Sequence, residues 1–188
     1  MEFTFHSTWG IFSPRDVDAG SRLLIEYMEV KEDDICLDLG CGYGPIGLTM
    51  AKLATTGQVY MVDTNFVAVE YAQKNAQINS LDNCKAILSN AFSHIPEDVK
   101  FDVIASNIPA NVGREMLSII LSDAKEYLKD SGRFYVVTIS GLRDFIKKNF
   151  RSVFGNYKKV KQGRSYAVAM AIKGLKQKND YYMEDFNR

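Results

Sequence analysis

The feature that most constrains the fold of this chain is a short apolar segment followed at once by three closely spaced glycines. Residues 35–39 are apolar apart from one acid, which predicts a buried strand, and residues 46–53 have the periodicity of a helix. Between them, Gly40, Gly42 and Gly44 permit positive φ angles and carry no Cβ. The stretch therefore predicts a strand, a loop and a helix, with a loop against whose backbone a bulky ligand can lie.

Two acids beside this loop indicate the kind of ligand. The pattern is D-x-G-x-G-x-G, not the G-x-G-x-x-G of dinucleotide folds, and Asp38 lies within the strand before the glycines. A carboxylate there would repel a pyrophosphate, but it can face an ammonium or sulfonium cation. A second predicted strand, 58–62, leads into Asp63, at the position where a ribose diol is usually held. These features favour S-adenosylmethionine (SAM) over the alternative of a tight turn that binds nothing.

The rest of the chain alternates short apolar segments with segments of helical periodicity. Asp16 or Asp18 can cap a first helix, and Asn65 can cap a helix that continues to residue 78. Further strands are predicted at residues 85–88, 101–105 and 132–138, and a hairpin at 157–161 and 164–172. This alternation predicts an α/β fold with a mostly parallel seven-stranded sheet, helices on both faces and an antiparallel strand from the closing hairpin.

Length and composition are those of one globular domain. The chain has 188 residues, of which 46% are hydrophobic and 24% charged. We expect a single domain over residues 1–188, with residues 1–30 as an N-terminal cover and helix and residues 174–188 as a tail whose order the sequence does not indicate. No segment is predicted to span a membrane and no signal segment is evident, so we expect a cytoplasmic protein. Three cysteines and two histidines form no zinc or hydrolase motif, so no metal is expected.

The predicted fourth strand is followed by residues suited to a reaction at an amine. In open α/β sheets the ligand lies beyond the carboxyl ends of the strands, which is where Asn107, Ile108 and Pro109 would be. Methyl transfer from a sulfonium needs mainly a nucleophile held in line. The side-chain oxygen of Asn107 and the carbonyl of Ile108 can accept the two hydrogens of an exocyclic amine, while Pro109 fixes the loop. The alternative is an ordinary turn with an asparagine and a proline.

These motifs resemble those of the class I SAM-dependent methyltransferases, whose Rossmann-like sheet ends in an inserted antiparallel strand. Residues 107–110, N-I-P-A, are similar to the N-[P/I/L]-P-[aromatic] signature of methyltransferases acting on the amines of adenine, guanine or glutamine. Ala110 stands where an aromatic residue usually stacks on the target. Phe12 or Trp9 could supply that stacking from the N-terminal cover.

A narrower resemblance covers about residues 8–173. Residues 10–13 (G-I-F-S), residues 18–24 (D-A-G-S-R-L-L) and the glycine-rich stretch are similar to the "methyltransferase small" domain, which includes guanine-N2 methyltransferases of ribosomal RNA and stand-alone archaeal relatives. The resemblance implies that Asp38, Gly40, Gly42 and Asp63 hold SAM and that Asn90 lies beside its adenine. Gly44, the third glycine of the loop, is also expected to contact SAM.

Charge is distributed unevenly along a chain that is neutral overall. Between residues 131 and 178 there are twelve lysines and arginines and one acid, Asp144. Such an excess is typical of a surface that meets a polyanion, although scattered solvated charges are the alternative. We expect RNA as the partner, ribosomal RNA or a pre-ribosomal particle, with Lys158 and Lys159 among the contacts. A monomer or a homodimer fits the sequence equally.

The sequence therefore predicts a SAM-dependent N-methyltransferase that acts on a nucleobase amine in RNA, with guanine N2 of ribosomal RNA as the first choice. Because Ala110 departs from the signature, a protein or small-molecule N-methyltransferase is the second hypothesis. A subunit that binds SAM or RNA without catalysis is the third.

Overall fold

Seven strands form one sheet around the strand that precedes the glycines. The structure, a computed structural model, describes residues 1–109 and 113–175. In chain order the strands are β1 (Ile35–Leu39), β2 (Gln58–Asp63), β3 (Cys84–Leu88), β4 (Phe101–Asn107), β5 (Leu128–Ile139), β6 (Lys158–Gln162) and β7 (Tyr166–Ile172). Their order in the sheet is β3-β2-β1-β4-β5-β7-β6. β7 is antiparallel to both neighbours and the other pairs are parallel, which confirms the predicted sheet.

Helices cover both faces of this sheet, as predicted. They are α1 (Ala19–Tyr27), α2 (Pro45–Leu53), α3 (Phe66–Ile78), α4 (Arg114–Tyr127) and α5 (Arg143–Phe154), with a short 3₁₀ helix at Ser140–Leu142. Buried side chains of α1, α2 and α3 pack into one apolar layer, and those of α4 and α5 into another. Asp18 caps α1 and Asn65 caps α3, each by accepting backbone N–H groups of the first turn.

The alternation of side chains along β1 decides what each face receives. Leu37 and Leu39 belong to the layer under α4 and α5, whereas Cys36 belongs to the layer under α1 to α3. Since successive residues of a strand point to opposite faces, Asp38 points to the same side as Cys36. There its Oδ2 accepts the backbone N–H of Gly47 in α2 at 2.7 Å.

Most strand ends differ from the prediction by one or two residues, and the differences in β4 and β5 bear on the site. β4 continues two residues beyond Ala105, so Asn107 is still paired in the sheet, opposite Val137. β5 begins at Leu128 and not at residue 132, but its pairing with β4 is interrupted between Leu128 and Arg133. Three extra residues loop out of β5 at that point, which is why periodicity predicted only its regular part.

The N-terminal segment runs over α3 towards the carboxyl ends of the strands. Asn75 is fully buried; its Oδ1 accepts from the N–H of His6 at 2.7 Å, and its Nδ2 donates to the carbonyls of His6 and Tyr43. Asn79 binds the backbone of Thr4 in the same way. Two amide side chains of one helix therefore hold an otherwise irregular segment against the domain.

No helix in the ranges 1–109 and 113–175 is both long and apolar enough to cross a membrane.

The contact between α2 and the sheet leaves no room for a side chain at Gly47. A Cβ there would lie 2.4 Å from Met61 Cγ and 3.1 Å from Asp38 Oδ2. We expect Gly47→Ala to reduce the free energy of unfolding by about 1–3 kcal/mol, the usual range for overpacking a buried site. Urea denaturation followed by circular dichroism measures this change.

The matched control is Gly141→Ala. A Cβ at Gly141 meets nothing within 4 Å, and its φ lies outside the left-handed region. Its unfolding free energy should stay within about 0.5 kcal/mol of the wild type, as for most surface substitutions. Equal destabilisation by the two variants would contradict the packing argument.

Candidate active site

A cleft of about 400 Å³ opens at the carboxyl edge of the sheet, at the neighbouring strands β1 and β4. From β1 the chain continues to one side of the sheet, and from β4 it continues to the other. That edge is the topological switch point at which α/β sheets bind ligands, and this volume lies within the range of small-molecule sites. Eight of the residues predicted for the site line it: Phe12, Gly40, Gly42, Asp63, Asn90, Asn107, Ile108 and Pro109. The fold thus brings together residues from five separate stretches of the sequence.

The glycine-rich loop forms the floor of one half of the cleft. Gly40 and Gly42 have φ angles of +78° and +55°, and a Cβ at either would meet nothing within 4 Å. The N–H groups of Gly40 and Cys41 both donate to the carbonyl of Val62 at 2.9 Å, which fastens the loop to the end of β2. The loop therefore presents bare backbone to the cleft at two positions where a side chain would project into the ligand space.

Asp63 lies at the end of β2 and bridges two turns. Its Oδ2 accepts from the N–H of Gly42 and its Oδ1 from the N–H of Asn65, each at 2.9 Å. Each carboxylate oxygen retains lone-pair capacity for a ligand hydroxyl. Asn65 in turn donates to the carbonyl of Gly10, so the same junction draws the N-terminal segment to the rim of the cleft. Asp63 is thus held rigidly while one side remains open to the cleft.

Asp38 and Gly44 lie behind this floor and not among the described residues that line the cleft. Asp38 is fully buried, and its Oδ1 has no hydrogen-bond partner within the described part of the chain. The Gly44 φ of +101° completes the turn into α2, and a Cβ there would touch Leu48 and Met61. The sequence predicted direct contact with the ligand for both, but Asp38 points under α2, because of the alternation along β1.

Burial raises the pKa of Asp38 from 3.8 to about 7. The N–H of Gly47 opposes this rise, and the negative charge of Asp63 adds to it. Loss of water around a carboxylate whose charge is only partly compensated by hydrogen bonds is the expected cause of such a rise in pKa. Asp38 is therefore a group whose charge near neutral pH depends on what lies beside it.

Asn107 forms the opposite wall with its amide nitrogen fully engaged. Its Nδ2 donates to Asp18 Oδ2 and to Ser21 Oγ, both at 2.9 Å. Ile108 follows with its N–H bonded to the carbonyl of Val137, and Ser106 Oγ donates to the carbonyl of Leu39 at 2.7 Å. These bonds fix the end of β4 against β1 and β5. Among the residues that the structure describes, none donates to the side-chain oxygen of Asn107, so this atom can accept from a ligand.

The mouth of the cleft on this side is apolar. Phe12 is 62% exposed and lines the cleft, as do Met116 and Ile120 of α4. Trp9 is 75% exposed and stacks with the guanidinium of Arg15 at 5.2 Å, but it is outside the cleft lining. Of the two aromatics considered for stacking, Phe12 is therefore the one at the cleft. Ala110 lies outside the described residues.

Lys158 and Lys159 are exposed on β6, the outermost strand of the sheet. Following the pairing from strand to strand across the sheet, Lys159 is at the same height as Ser106 of β4, with β7 and β5 between them. They belong to the surface beside the cleft and not to its wall.

Asp18 and Ser21 are site residues that were not predicted from the sequence. Both line the cleft, although Asp18 was expected only to cap a helix. The D-A-G-S stretch could have indicated them, since it belongs to the motif that carried the family resemblance. What the sequence could not indicate is that α1 lies against the end of β4.

The raised pKa of Asp38 predicts how stability changes with pH. In the unfolded chain this carboxyl titrates near 3.8, and in the folded chain near 7. Between these values the folded state retains a proton that the unfolded state has released, so this group lowers stability as pH rises from about 4 to about 7. Asp38→Asn lacks this effect. Denaturant unfolding at pH 5 and pH 8 should therefore show the variant gaining stability relative to wild type at the higher pH.

High salt provides the control for this prediction. Screening weakens interactions among exposed charges but has little effect on a desolvated one. The pH-dependent difference between the two proteins should thus persist in about 1 M NaCl, where the Debye length is about 3 Å. A difference that is the same at pH 5 and pH 8 would show that Asp38 titrates normally.

Comparison with known proteins agrees with this geometry. The family model described as "Methyltransferase small domain" matches residues 2–170. YbxB of Bacillus subtilis, strain 168, is 36% identical over 175 residues, which cover 92% of this chain and 87% of that protein. Ribosomal RNA large subunit methyltransferase G of Shewanella amazonensis is 30% identical over 87% of this chain and 44% of its own length.

A solved structure shares the fold closely. The 16S rRNA N2 G1207 methyltransferase RsmC of T. thermophilus, in complex with AdoMet and guanosine, is 29% identical with a TM-score of 0.83. The match covers 92% of this chain and 48% of that one, so the chain spans about half the length of these two ribosomal RNA methyltransferases. On the family match and the geometry of the cleft, the chain belongs to the methyltransferase small domain family and is a SAM-dependent methyltransferase.

Proposed function

We propose that this enzyme methylates an exocyclic amine of a nucleobase in RNA, and specifically N2 of a guanine in ribosomal RNA. The observation that carries the proposal is Asn107. Its side chain lines the same cleft as the glycine-rich loop, and no residue in the ranges 1–109 and 113–175 donates to its Oδ1. An amide oxygen beside a cofactor site suits a target that donates hydrogen bonds, as an amine does.

The cofactor half of the cleft fits SAM. Asp63 can accept from the ribose hydroxyls, and Asn90, exposed at the rim, can meet the adenine amino group through its amide oxygen. Gly40 and Gly42 leave room for the amino-acid portion, and Asp38 behind them supplies negative charge toward its ammonium group through the loop. Bound SAM supplies a methyl group already activated by its sulfonium.

The acceptor half orients the amine and accepts its hydrogens. We assign one hydrogen to Asn107 Oδ1 and the other to the carbonyl of Ile108, with Pro109 limiting the freedom of that carbonyl. As the N–C bond forms and the S–C bond breaks, S-adenosylhomocysteine is the leaving group, and the nitrogen becomes positive and then releases a proton to water. Two acceptors at the amine stabilise that developing charge, which is the usual form of electrostatic catalysis.

An aromatic contact supports a nucleobase as the group that carries the amine. The exposed ring of Phe12 lines the cleft and offers a face on which a splayed-out base can stack. RNA bases recognised by enzymes are commonly unstacked and held in this way. Phe12 thus offers the stacking that Ala110 cannot.

The relatives favour ribosomal RNA. One is a methyltransferase of the large subunit RNA, and the structural neighbour acts on guanine N2 of 16S RNA and was solved with guanosine. Their substrates differ, and this chain spans about half of each. We therefore propose the substrate class from them and leave the nucleotide to experiment. The site of action would be the cytoplasm, on RNA or on a pre-ribosomal particle, with the enzyme as a monomer or homodimer.

Transfer of tritiated methyl from SAM to RNA tests this function. Unmodified 16S and 23S transcripts and the corresponding reconstituted subunits are incubated with the enzyme, and the labelled nucleoside is identified after digestion. We expect N2-methylguanosine. Asn107→Ala should lose about 10²-fold or more in rate, the scale for removing one positioned polar group, with SAM affinity by calorimetry little changed.

The control is Asn149→Ala, which alters an equally half-buried asparagine on α5, away from the cleft. It should retain the wild-type rate. Label in protein or in a small molecule, with none in RNA, would replace the proposal by the second hypothesis. SAM binding without transfer to any of these would favour a non-catalytic subunit.

The salt dependence of RNA binding tests the proposed role of Lys158 and Lys159. If about four to six phosphates are neutralised, log K should fall against log[salt] with a slope of roughly −3 to −5. Lys158→Ala/Lys159→Ala should reduce that slope by about one to two units, since each phosphate contact contributes about one. Filter binding or fluorescence anisotropy at several salt concentrations measures it.

A second double variant controls for the change in net charge. Lys31→Ala/Lys52→Ala removes the same charge from exposed positions before β1 and near the end of α2. Its slope should equal that of the wild type. If both double variants make the slope less steep by the same amount, the lysines of β6 act only through net charge.

A further inference from the structure

Three side chains from two distant parts of the chain form a cluster beside the amide of Asn107. Asp18 and Ser21 belong to the start of α1, and Tyr166 begins β7. Asp18 Oδ2 accepts from Asn107 Nδ2 at 2.9 Å, and Asp18 Oδ1 accepts from the Tyr166 hydroxyl at 3.2 Å. The proposed function uses only Asn107, so the reason for this cluster is open.

Asp18 is already committed as the cap of α1. Its Oδ2 accepts the N–H groups of Gly20 at 2.8 Å and Ser21 at 3.2 Å in addition to the amide of Asn107. The cap fixes the carboxylate in position, and Tyr166 holds its other oxygen. The side of Asp18 that faces Asn107 is therefore an acceptor in a fixed place.

The packing around Gly20 shows how closely Asp18 and Tyr166 fit together. A Cβ at Gly20 would lie 2.8 Å from Asp18 Oδ2 and 2.9 Å from Tyr166 Cδ1. Only glycine leaves room for the tyrosine ring and the carboxylate to meet above the first turn of α1. The three elements are thus fitted to one another at the atom that contacts Asn107.

A primary amide is nearly symmetric in shape, so its orientation is decided by its partners. The hydroxyl of Ser21, 2.9 Å from Nδ2, can donate or accept and would tolerate either orientation. A carboxylate only accepts, so a reversed amide would bring Oδ1 against Asp18 Oδ2 with no hydrogen between them. Asp18 therefore selects the orientation in which Nδ2 faces α1.

We propose that Asp18 is a positioning residue for catalysis. By holding Asn107 Nδ2, with support from Ser21 and Tyr166, it makes Asn107 present its oxygen to the target amine. The inference rests on the proposed function, because the orientation matters only if the group to be methylated is a donor. With the amide reversed, an N–H₂ group would face an amine, and neither could accept from the other.

The variant Asp18→Ser tests this role without removing the helix cap. Serine caps a helix about as well as aspartate, so the melting temperature should change little. The serine hydroxyl lies closer to the backbone and can donate as well as accept, so it no longer offers Asn107 a fixed acceptor. We expect kcat for methylation to fall at least about tenfold while the Kd for SAM stays within about threefold, since a poorly positioned group costs rate and not cofactor affinity.

The conservative variant Asp18→Asn gives the sharper test. Its amide oxygen, held by the N–H groups of Gly20 and Ser21, takes the place of Oδ2 and still accepts from Asn107. Its NH₂ group then faces the hydroxyl of Tyr166, which can accept. We expect this variant to keep kcat within about threefold of the wild type, because the acceptor that orients Asn107 is retained. A purely structural role for Asp18 predicts that two variants with equal melting temperatures have equal kcat.

The control is Asp16→Asn, which changes a nearby exposed acid that pairs with Arg22. It should keep the wild-type kcat. Wild-type turnover in Asp18→Ser, or a loss in Asp18→Asn as large as that in Asp18→Ser, would overturn the proposal.

A measurement that needs no substrate separates this inference from the proposed function. The side-chain NH₂ signals of Asn107, assigned in ¹⁵N spectra by comparison with Asn107→Ala, should show slowed exchange with water in the wild type. In Asp18→Ser they should shift and exchange faster. Unchanged signals would refute the selection of orientation even if RNA is methylated. If the signals change as expected but RNA is not methylated, the orientation stands and the proposed function fails.

Discussion

The close approach of α2 to the sheet is the constraint on which the rest of the site depends. Gly47 permits it, since a Cβ there would fall within 2.4 Å of Met61, and the bond from Gly47 N–H to Asp38 fixes it. With the helix start so near the strand end, the connecting loop must reverse direction within a few residues. That requirement explains the left-handed glycines of the loop, and their bare backbone then becomes the floor of the cleft.

The two halves of the cleft are built by different kinds of contact. The cofactor half comes from neighbouring pieces of chain: the loop after β1, and the end of β2, where Asp63 receives the N–H of Gly42. The acceptor half exists only where α1, β4 and β7 meet, so Asn107 takes its partners from residues 86 to 89 positions away. The first half is therefore largely a local property of the sequence, and the second a property of the tertiary fold.

This difference explains what the sequence could and could not predict. The bounds of β1 and α3, the order of the elements and the glycine loop follow from periodicity, caps and glycine spacing, which are local signals. The burial of Asp38 under α2 was missed because the motif was interpreted as direct contact, although strand alternation already placed Asp38 with Cys36. The roles of Asp18 and Ser21 could not be read from spacing at all, since nothing local brings α1 to the end of β4.

The position of the basic strand limits what its lysines can do. β7 and β5 lie between β6 and β4. The backbone of Lys159 is therefore three strand spacings from that of Ser106, which is about 14 Å at about 4.8 Å for each spacing. That exceeds the Debye length of about 8 Å at physiological ionic strength. Charges at this distance have little influence on the reacting amine through solvent, and they can act only by touching the phosphates of an RNA that extends across the sheet edge. If RNA binds there, β6 contributes to affinity and leaves the rate of transfer to Asn107 and the groups around it.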